Sequence, residues 1–256
     1  MSIKWAKQLQ QIDDIRQGNL EGIESVQLPV AVLMDKNTDF TQIKETLLSQ
    51  GVTFDVFNSP LPKGLQVTKL GFNLYSWQDY LNEAVRRVAE MGGKVLVWSD
   101  GEDRMLPIEG DRHHFKQQFY RMVYALCNIS EQYDITVCLE PLSEERTNFL
   151  NSPEEVMQCF SKIGKENLSL SIGLRNLVEM SLNINDLVAL KEAIRHIHIE
   201  NPMFFDETRS PQPTDSFVYT SFFNIIKAMD YSGVISLPSD VDEASLQYCR
   251  ELLGIN

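Results

Sequence analysis

The sequence predicts a closed (β/α)8 barrel, an α/β fold in which eight parallel strands alternate with helices. Apolar runs without polar alternation, typical of strands covered on both faces, alternate with helical patterns eight times along the chain. The chain has 256 residues and contains no linker or low-complexity stretch. One barrel domain over residues 1–256 therefore accounts for its length. An open doubly wound sheet is the alternative, but no glycine-rich phosphate loop follows the first strand.

The amino-terminal half contains four of these predicted strands. The first, within Ser2–Trp5, is short or irregular, and the helical pattern after it ends at Gly18. The other three strands occupy residues 23–28, 52–58 and 94–98. The helices between them carry apolar residues at spacings of three and four, and they end at Gly51 and at the pair Gly92 and Gly93.

The carboxyl-terminal half repeats the pattern. A long helix over residues 115–129 precedes a strand at 135–139, and Ser152, Pro153 and two acids then mark the start of a helix. The remaining predicted strands are 168–172, 194–199 and 234–237, and the remaining predicted helices are 184–190, 217–229 and 241–253.

Composition and charge exclude several classes of protein. The net charge is −13, with 36 acidic against 23 basic residues, which argues against nucleic acid as a partner. No apolar run is long enough to cross a bilayer, and the amino terminus lacks the apolar segment of a signal peptide, so no membrane partner and a cytoplasmic location are expected. The four cysteines are widely spaced and are expected to be reduced core thiols: Cys127, Cys138, Cys159 and Cys249.

Glu140 is the first candidate functional residue. The run from Ile135 to Leu139 is a buried strand, Glu140 follows it directly, and Pro141 prevents further ladder pairing. The carboxyl ends of strands are where (β/α) folds place their chemistry. Without other information, an acid structurally hydrogen-bonded to its neighbours is the alternative interpretation.

Four segments, taken together and in order, resemble the xylose isomerase-like TIM-barrel superfamily, in its sugar phosphate isomerase/epimerase branch. They are Val56–Pro62, Gly92–Trp98, Leu139–Leu142 with Thr147–Phe149, and His196–Ile199. The resemblance covers nearly the whole chain. It implies a TIM barrel that binds a small sugar-like molecule, and in active members a divalent cation held by a Glu, an Asp, a His and a second Glu at four strand ends.

The resemblance assigns two of these ligands to residues of this chain. Glu140 corresponds to the first glutamate, which also acts as a base in active members, and His198 corresponds to the histidine. Gly173 occupies the position of the aspartate, and Pro238 that of the second glutamate. A divalent metal (Mn, Mg, Co or Zn) is therefore expected to bind weakly or not at all, unless Glu200 or Asp240 replaces a lost ligand.

Further polar positions of the family pattern have also changed. Gln27 stands for an acid often found after the second strand, Asn176 for a substrate-binding histidine, and Phe204 for an arginine. We expect Asn176, Trp98 and Asn148 to contact the substrate. Phe204 and Phe205 are further candidates for stacking on a sugar ring, although aromatic core residues are the alternative.

Three functions remain open at this point. The first is an active metal-dependent ketose isomerase or epimerase with a rearranged site, in which Glu140 is catalytic. The second is a catalytically impaired barrel that binds a sugar-like ligand or, as a further alternative, a protein partner. The third is an endonuclease-like enzyme of the same superfamily, against which four histidines in total and the acidic charge both argue. The oligomeric state stays open, with a homo-oligomer as one alternative.

Overall fold

Eight parallel strands close into a barrel. The structure, a computed structural model, describes residues 2–17, 20–204 and 207–255. Each strand pairs with its sequence neighbours, and β8 pairs with β1 to complete the ring. The predicted (β/α)8 architecture is thereby confirmed. The strands are β1 Ile3–Gln8, β2 Ser25–Pro29, β3 Thr53–Asn58, β4 Val95–Trp98, β5 Thr136–Leu139, β6 Leu168–Gly173, β7 Ile194–His198 and β8 Gly233–Leu237.

Helices pack around the outside of the barrel, and their ends follow the capping signals of the sequence. In α6 the Ser152 side chain accepts a hydrogen bond from the Glu155 N–H, and Gly164 ends the helix in the left-handed conformation. The α-helices are α1 Ile12–Gln17, α2 Val30–Leu33, α3 Phe40–Leu48, α4 Gln78–Glu90, α5 Arg112–Glu131, α6 Pro153–Ile163, α7 Leu174–Glu179, α8 Thr220–Ala228 and α9 Glu243–Leu253.

Some predicted helical segments differ in detail. Ile184–Leu190 forms a 3-10 helix, which the Asn183 side chain caps by accepting from the Asn185 N–H. The short helices α2 and α7 were not predicted, because each is a single turn or two directly after a strand and has no periodic pattern. The predicted end of the first helix at Gly18, and Phe205, lie outside the described residues.

Two apolar regions form the core. The larger one lies between the strands and the surrounding helices, and a smaller one fills the barrel interior with Ala6, Val56, Val97 and Cys138. Because side chains alternate along a strand, the residue two positions further on points inward as well. Those next inward positions, at the carboxyl-terminal end, are Gln8, Asn58, Ser99 and Glu140. The barrel interior therefore changes from apolar to polar at its mouth.

Other sequence predictions concern single residues. All four cysteines are buried and free, as predicted. His113 and His114, at the start of α5, are exposed. Within the described residues, no helix combines the length and apolar character needed to cross a membrane.

Candidate functional site at the barrel mouth

The mouth of the barrel carries a ring of polar side chains, one from the end of each of several strands. Gln8 and Gln27 come from β1 and β2, and Asn58 from β3. Ser99 and Glu140 directly follow β4 and β5, and His198 ends β7. Strand alternation brings side chains that are far apart in sequence to the same cavity.

The Glu140 carboxylate is buried and accepts hydrogen bonds at both oxygens. The Asn176 Nδ2 donates to Oε1 over 2.6 Å, and the Ser171 hydroxyl donates to Oε2 over 3.4 Å. His198 Nδ1 lies 2.9 Å from Oε2. Behind the site, Nη2 of the fully buried Arg104 donates to the Glu140 carbonyl oxygen over 2.6 Å. Glu140 is thus held at its backbone and its side chain.

Gly173 leaves the space in which this carboxylate lies. A Cβ atom at residue 173 would stand 2.6 Å from Glu140 Oε1 and 3.0 Å from Asn176 Nδ2. Contacts of that length to a fixed carboxylate require the carboxylate to move. The missing side chain at the predicted ligand position is therefore coupled to the position of Glu140.

His198 is hydrogen-bonded on its second nitrogen as well. Its Nε2 lies 3.1 Å from Gln27 Oε1, and Nε2 of His196 lies 3.2 Å from the same oxygen. Gln27 Nε2 also lies 3.0 Å from His198 Nε2. A His198 that is protonated on both nitrogens, as an ion pair with Glu140 requires, donates from Nε2 to Gln27 Oε1, and His196 donates to the same oxygen from its Nε2. The two histidines share a face of β7, with ring centroids 4.5 Å apart. One buried amide thus orients both rings.

The pKa values of Glu140 and His198 are shifted in opposite directions. Burial raises the pKa of Glu140, but the His198 charge and the hydrogen bonds from His198 and Asn176 outweigh it, so the net pKa is lowered. Burial lowers the pKa of His198, but the Glu140 carboxylate outweighs it, so the net pKa is raised. Burial and the neighbouring His198 hold the pKa of His196 well below its usual range. The site therefore favours an ion pair between Glu140 and His198, beside a neutral His196.

Two connected spaces open above this network. The inner cavity of about 90 Å³ is lined by the polar ring together with Leu142, Gly173, Asn176, Glu200 and the two arginines Arg146 and Arg175. The outer chamber of about 610 Å³ lies beyond it and is lined in part by Asp100, Glu145 and Glu179. Ser99, Leu142, Arg146 and Arg175 line both spaces.

Several residues of this site were not recognised from the sequence. Gln8, Asn58 and Ser99 each end or directly follow a strand, so the strand-end rule that selected Glu140 could also have selected them. Arg146 and Arg175 lie after β5 and β6, where no local pattern distinguishes a cavity-lining arginine from a solvated one.

Of the three predicted substrate contacts, one lines the inner cavity and two lie elsewhere. Asn176 lines the inner cavity. Trp98 is fully buried outside the barrel against Phe119, at a centroid distance of 5.0 Å, and the structure does not bring it to the cavity. Asn148 instead joins two loops, since its side chain exchanges hydrogen bonds of 2.8 and 2.9 Å with the Leu106 backbone.

Of the other residues considered for the site, the structure brings Glu200 to the inner cavity. Phe204 is partly exposed beneath the Arg209 guanidinium. Of the two possible replacement acids, Glu200 lines the inner cavity. Its pKa is raised, mainly by burial and further by the neighbouring Glu140 carboxylate. Asp240 is exposed and accepts a hydrogen bond from the Ser210 N–H over 2.9 Å. Pro238 is buried directly after β8.

The chemistry of the donor set can be compared with the four-ligand centre that the resemblance implies. Glu140 and His198 are present, Gly173 has no side chain, and Pro238 has no donor atom in its side chain. Across the described ranges, no group of three or more His, Cys, Asp or Glu side chains is arranged to hold a metal ion. The residues at these four positions therefore do not form the expected ligand set.

The fold and the mouth define a (β/α)8 barrel protein with a polar site at the carboxyl ends of its strands. The family model described as xylose isomerase-like TIM barrel matches residues 15–251, so the chain belongs to that family. The resemblance inferred from the strand-end segments is confirmed. Comparison with curated protein sequences gives no significant match.

Solved structures with the same fold include sugar epimerases and a nuclease-family member. A D-psicose 3-epimerase crystallised in the presence of D-fructose matches with a TM-score of 0.78 and 11% identity, over 98% of this chain and 99% of that one. A 3-keto-D-glucoside 4-epimerase from E. coli gives 0.74 and 15%, over 99% and 98%. An AP endonuclease, family 2, from Brucella melitensis gives 0.74 and 17%, over 96% and 97%. At these identities the similarity establishes the fold.

Proposed function

We propose that this protein binds a small sugar-like molecule at the barrel mouth, and that it is an isomerase/epimerase-like barrel without the four-ligand metal centre. The observation that carries the proposal is a pair of polar atoms, unpaired within the described residues, on two residues that line the inner cavity. Gln8 Nε2 and Asn176 Oδ1 are buried and have no hydrogen-bond partner in the described part of the chain. A buried donor and a buried acceptor suit a ligand rich in hydroxyl and carbonyl groups.

The hydrogen bonds of Glu140 and His198 support the proposal that the four-ligand metal centre is absent. Both carboxylate oxygens and both imidazole nitrogens are engaged with Asn176, Gln27 and each other. A cation would have to break these buried hydrogen bonds, and it would find no side-chain ligand at Gly173 or Pro238. Catalysis by the family's metal chemistry is therefore impaired in this proposal.

The solved neighbours support the choice of ligand class. The D-psicose 3-epimerase was crystallised with D-fructose, and the E. coli protein is named for a ketoglucoside. D-fructose is therefore the first ligand to test. The acidic chain and the small polar cavity suit it better than nucleic acid.

Calorimetry on EDTA-treated protein tests the proposal. D-fructose is titrated into the wild type, into Asn176→Ala, and into Asn82→Ala as a control for an exposed asparagine on α4. We expect binding to the wild type and to the control, and roughly tenfold weaker binding to Asn176→Ala, from the loss of about one hydrogen bond. Absence of binding, or equal affinity in all three proteins, would overturn the proposal.

An active metal-dependent isomerase or epimerase is the second candidate function. The observation in its favour is Glu200, a partly buried acid that lines the inner cavity beside Glu140 and His198. NMR of D-fructose incubated with the protein and Mn²⁺ tests it. Formation of a new sugar that both Glu140→Gln and Glu200→Gln abolish would establish this function in place of the first.

A further inference from the structure

The inner cavity holds only part of a sugar-sized ligand. Its volume of about 90 Å³ is well below the roughly 300–1,000 Å³ of typical small-molecule pockets. The remainder of a larger ligand has to extend into the outer chamber, which has a volume of about 610 Å³. The junction between the two spaces therefore contacts any ligand that occupies both.

Two arginines form one side of this junction, and a buried carboxylate holds them. Glu179 Oε1 accepts from Arg175 Nε over 2.8 Å, and Glu179 Oε2 lies 3.5 Å from Arg146 Nε. The side chains of Arg175 and Glu179 are 8% and 7% exposed, whereas that of Arg146 is 37% exposed. Arg146 makes this ion pair through Nε and forms no hydrogen bond to Glu179 Oε2.

These terminal nitrogens are available for a ligand. Nη1 and Nη2 of Arg146 make no hydrogen bond to residues that the structure describes. Arg146 lines both the inner cavity and the outer chamber. A planar fork of donors at the edge of a partly buried cavity matches the oxygens of a carboxylate or a phosphate.

The acids around the junction differ in their exposure. Glu102 and Glu145 are exposed, so solvent and salt screen their charge. Glu140 is paired with His198, and Glu179 is shared by the two arginines. Glu200 and Asp100 also line the two spaces, and in the described part of the chain neither forms an ion pair with Arg146.

From this arrangement we infer that Arg146, paired with Glu179 and lining the same two spaces as Arg175, forms an anion subsite for a ligand whose hydroxylated end enters the inner cavity. The ligand class is then a sugar that carries a phosphate or a carboxylate. This inference rests on the proposed sugar-binding function and specifies the charge of the ligand.

A comparison of matched ligands and variants tests the subsite. D-fructose, D-fructose 6-phosphate, D-gluconate and inorganic phosphate are titrated into the wild type, Arg146→Gln and Arg146→Lys. Arg121→Gln, at an exposed arginine on α5, is the control. Thermal melting of each variant establishes that it is folded.

We expect D-fructose 6-phosphate or D-gluconate to bind the wild type and the control roughly tenfold to hundredfold more tightly than D-fructose, as for hydrogen bonds to charged groups. Arg146→Gln removes this advantage, and Arg146→Lys retains only part of it because it lacks the fork. The preferred anion identifies the ligand as a phosphate ester or a sugar acid.

The contrary outcomes separate the two proposals. Equal affinity for neutral and anionic sugars, with no effect of Arg146→Gln, would overturn the anion subsite and leave sugar binding intact. Binding of inorganic phosphate that requires Arg146, with no sugar bound, would retain the anion subsite and overturn the proposed sugar ligand.

Discussion

His198 Nδ1 lies 2.9 Å from Glu140 Oε2, and both side chains are almost completely buried. These two residues come from β7 and from the end of β5, 58 positions apart in sequence. Their contact connects Gln27 and His196 on one side with Asn176 and Ser171 on the other. The network occupies the place where the family resemblance implies a metal centre.

Removing the Glu140 carboxylate is expected to destabilise the protein. In Glu140→Ala, His198 and Asn176 lose their acceptor inside the barrel, and breaking a buried ion pair costs about 3–5 kcal/mol. Urea unfolding measures the change, with Glu145→Ala, an exposed acid five positions on, as the control. A loss below about 1 kcal/mol, similar to that of a surface substitution, would contradict the ion pair.

The pKa shifts of Glu140 and His198 predict how the free energy of unfolding depends on pH. The lowered pKa of Glu140 adds stability above the unfolded value of 4.5, and this stability is lost as the pH falls through the folded pKa. The raised pKa of His198 adds stability below its unfolded value of 6.5, and this stability is lost as the pH rises through the folded pKa. The unfolding free energy of the wild type should therefore exceed that of Glu140→Gln most clearly between pH 4.5 and 6.5. A difference that is independent of pH would argue against coupled titration of the two groups.

Adding a methyl group at Gly173 is expected to displace Glu140. The new Cβ atom would stand 2.6 Å from Glu140 Oε1, and overpacking of this kind costs about 1–3 kcal/mol. In a Glu140→Ala background the clash with the carboxylate is absent, so Gly173→Ala should cost less there. Urea unfolding of the two single variants and the double variant gives the coupling energy. Additive effects would show that Gly173 and Glu140 are independent.

Asp103 is expected to make stability fall as the pH rises. Burial, and then the neighbouring Asp100, raise the pKa of Asp103 from 3.8 to about 8. Its contribution is complete below pH 3.8 and is lost as the pH rises to about 8, at most about 1.4 kcal/mol for each pH unit. Asp103→Asn should remove this slope, and Glu102→Gln, at an exposed neighbour, should not. Unfolding free energies measured from pH 4 to pH 8 compare the three proteins, and parallel curves for the wild type and Asp103→Asn would contradict the prediction.

The fold could be predicted from the sequence because each strand is a short apolar run between helical patterns. Val137 and Ile197, for example, lie in strands that are buried on both faces, and such runs occur in parallel barrels. Glu140 and His198 could be selected because each stands at the end of such a strand. The residues that surround them were partly recognised, since Asn176 occupies the position that the resemblance assigns to a substrate-binding histidine.

Other parts of the site depend on distances that no local pattern contains. The contact of Gln27 with two histidines arises from barrel closure, which leaves only β1 and β8 between β2 and β7 around one narrow interior. Trp98 was expected in the site because it ends β4, but alternation points its ring outward and Ser99 inward. Arg146 depends on its contact with Glu179, 33 residues away in sequence, which holds its side chain at the junction.

The affinity of D-fructose with and without a divalent cation shows whether ligand binding at the barrel mouth depends on a metal ion. Calorimetric titrations into EDTA-treated protein and into the same protein with Mn²⁺ give the two dissociation constants. We predict the same value in both, because Glu140 and His198 are already satisfied by each other, by Asn176 and by Gln27. D-fructose binding that requires Mn²⁺ and disappears in both Glu140→Gln and His198→Gln would contradict this account.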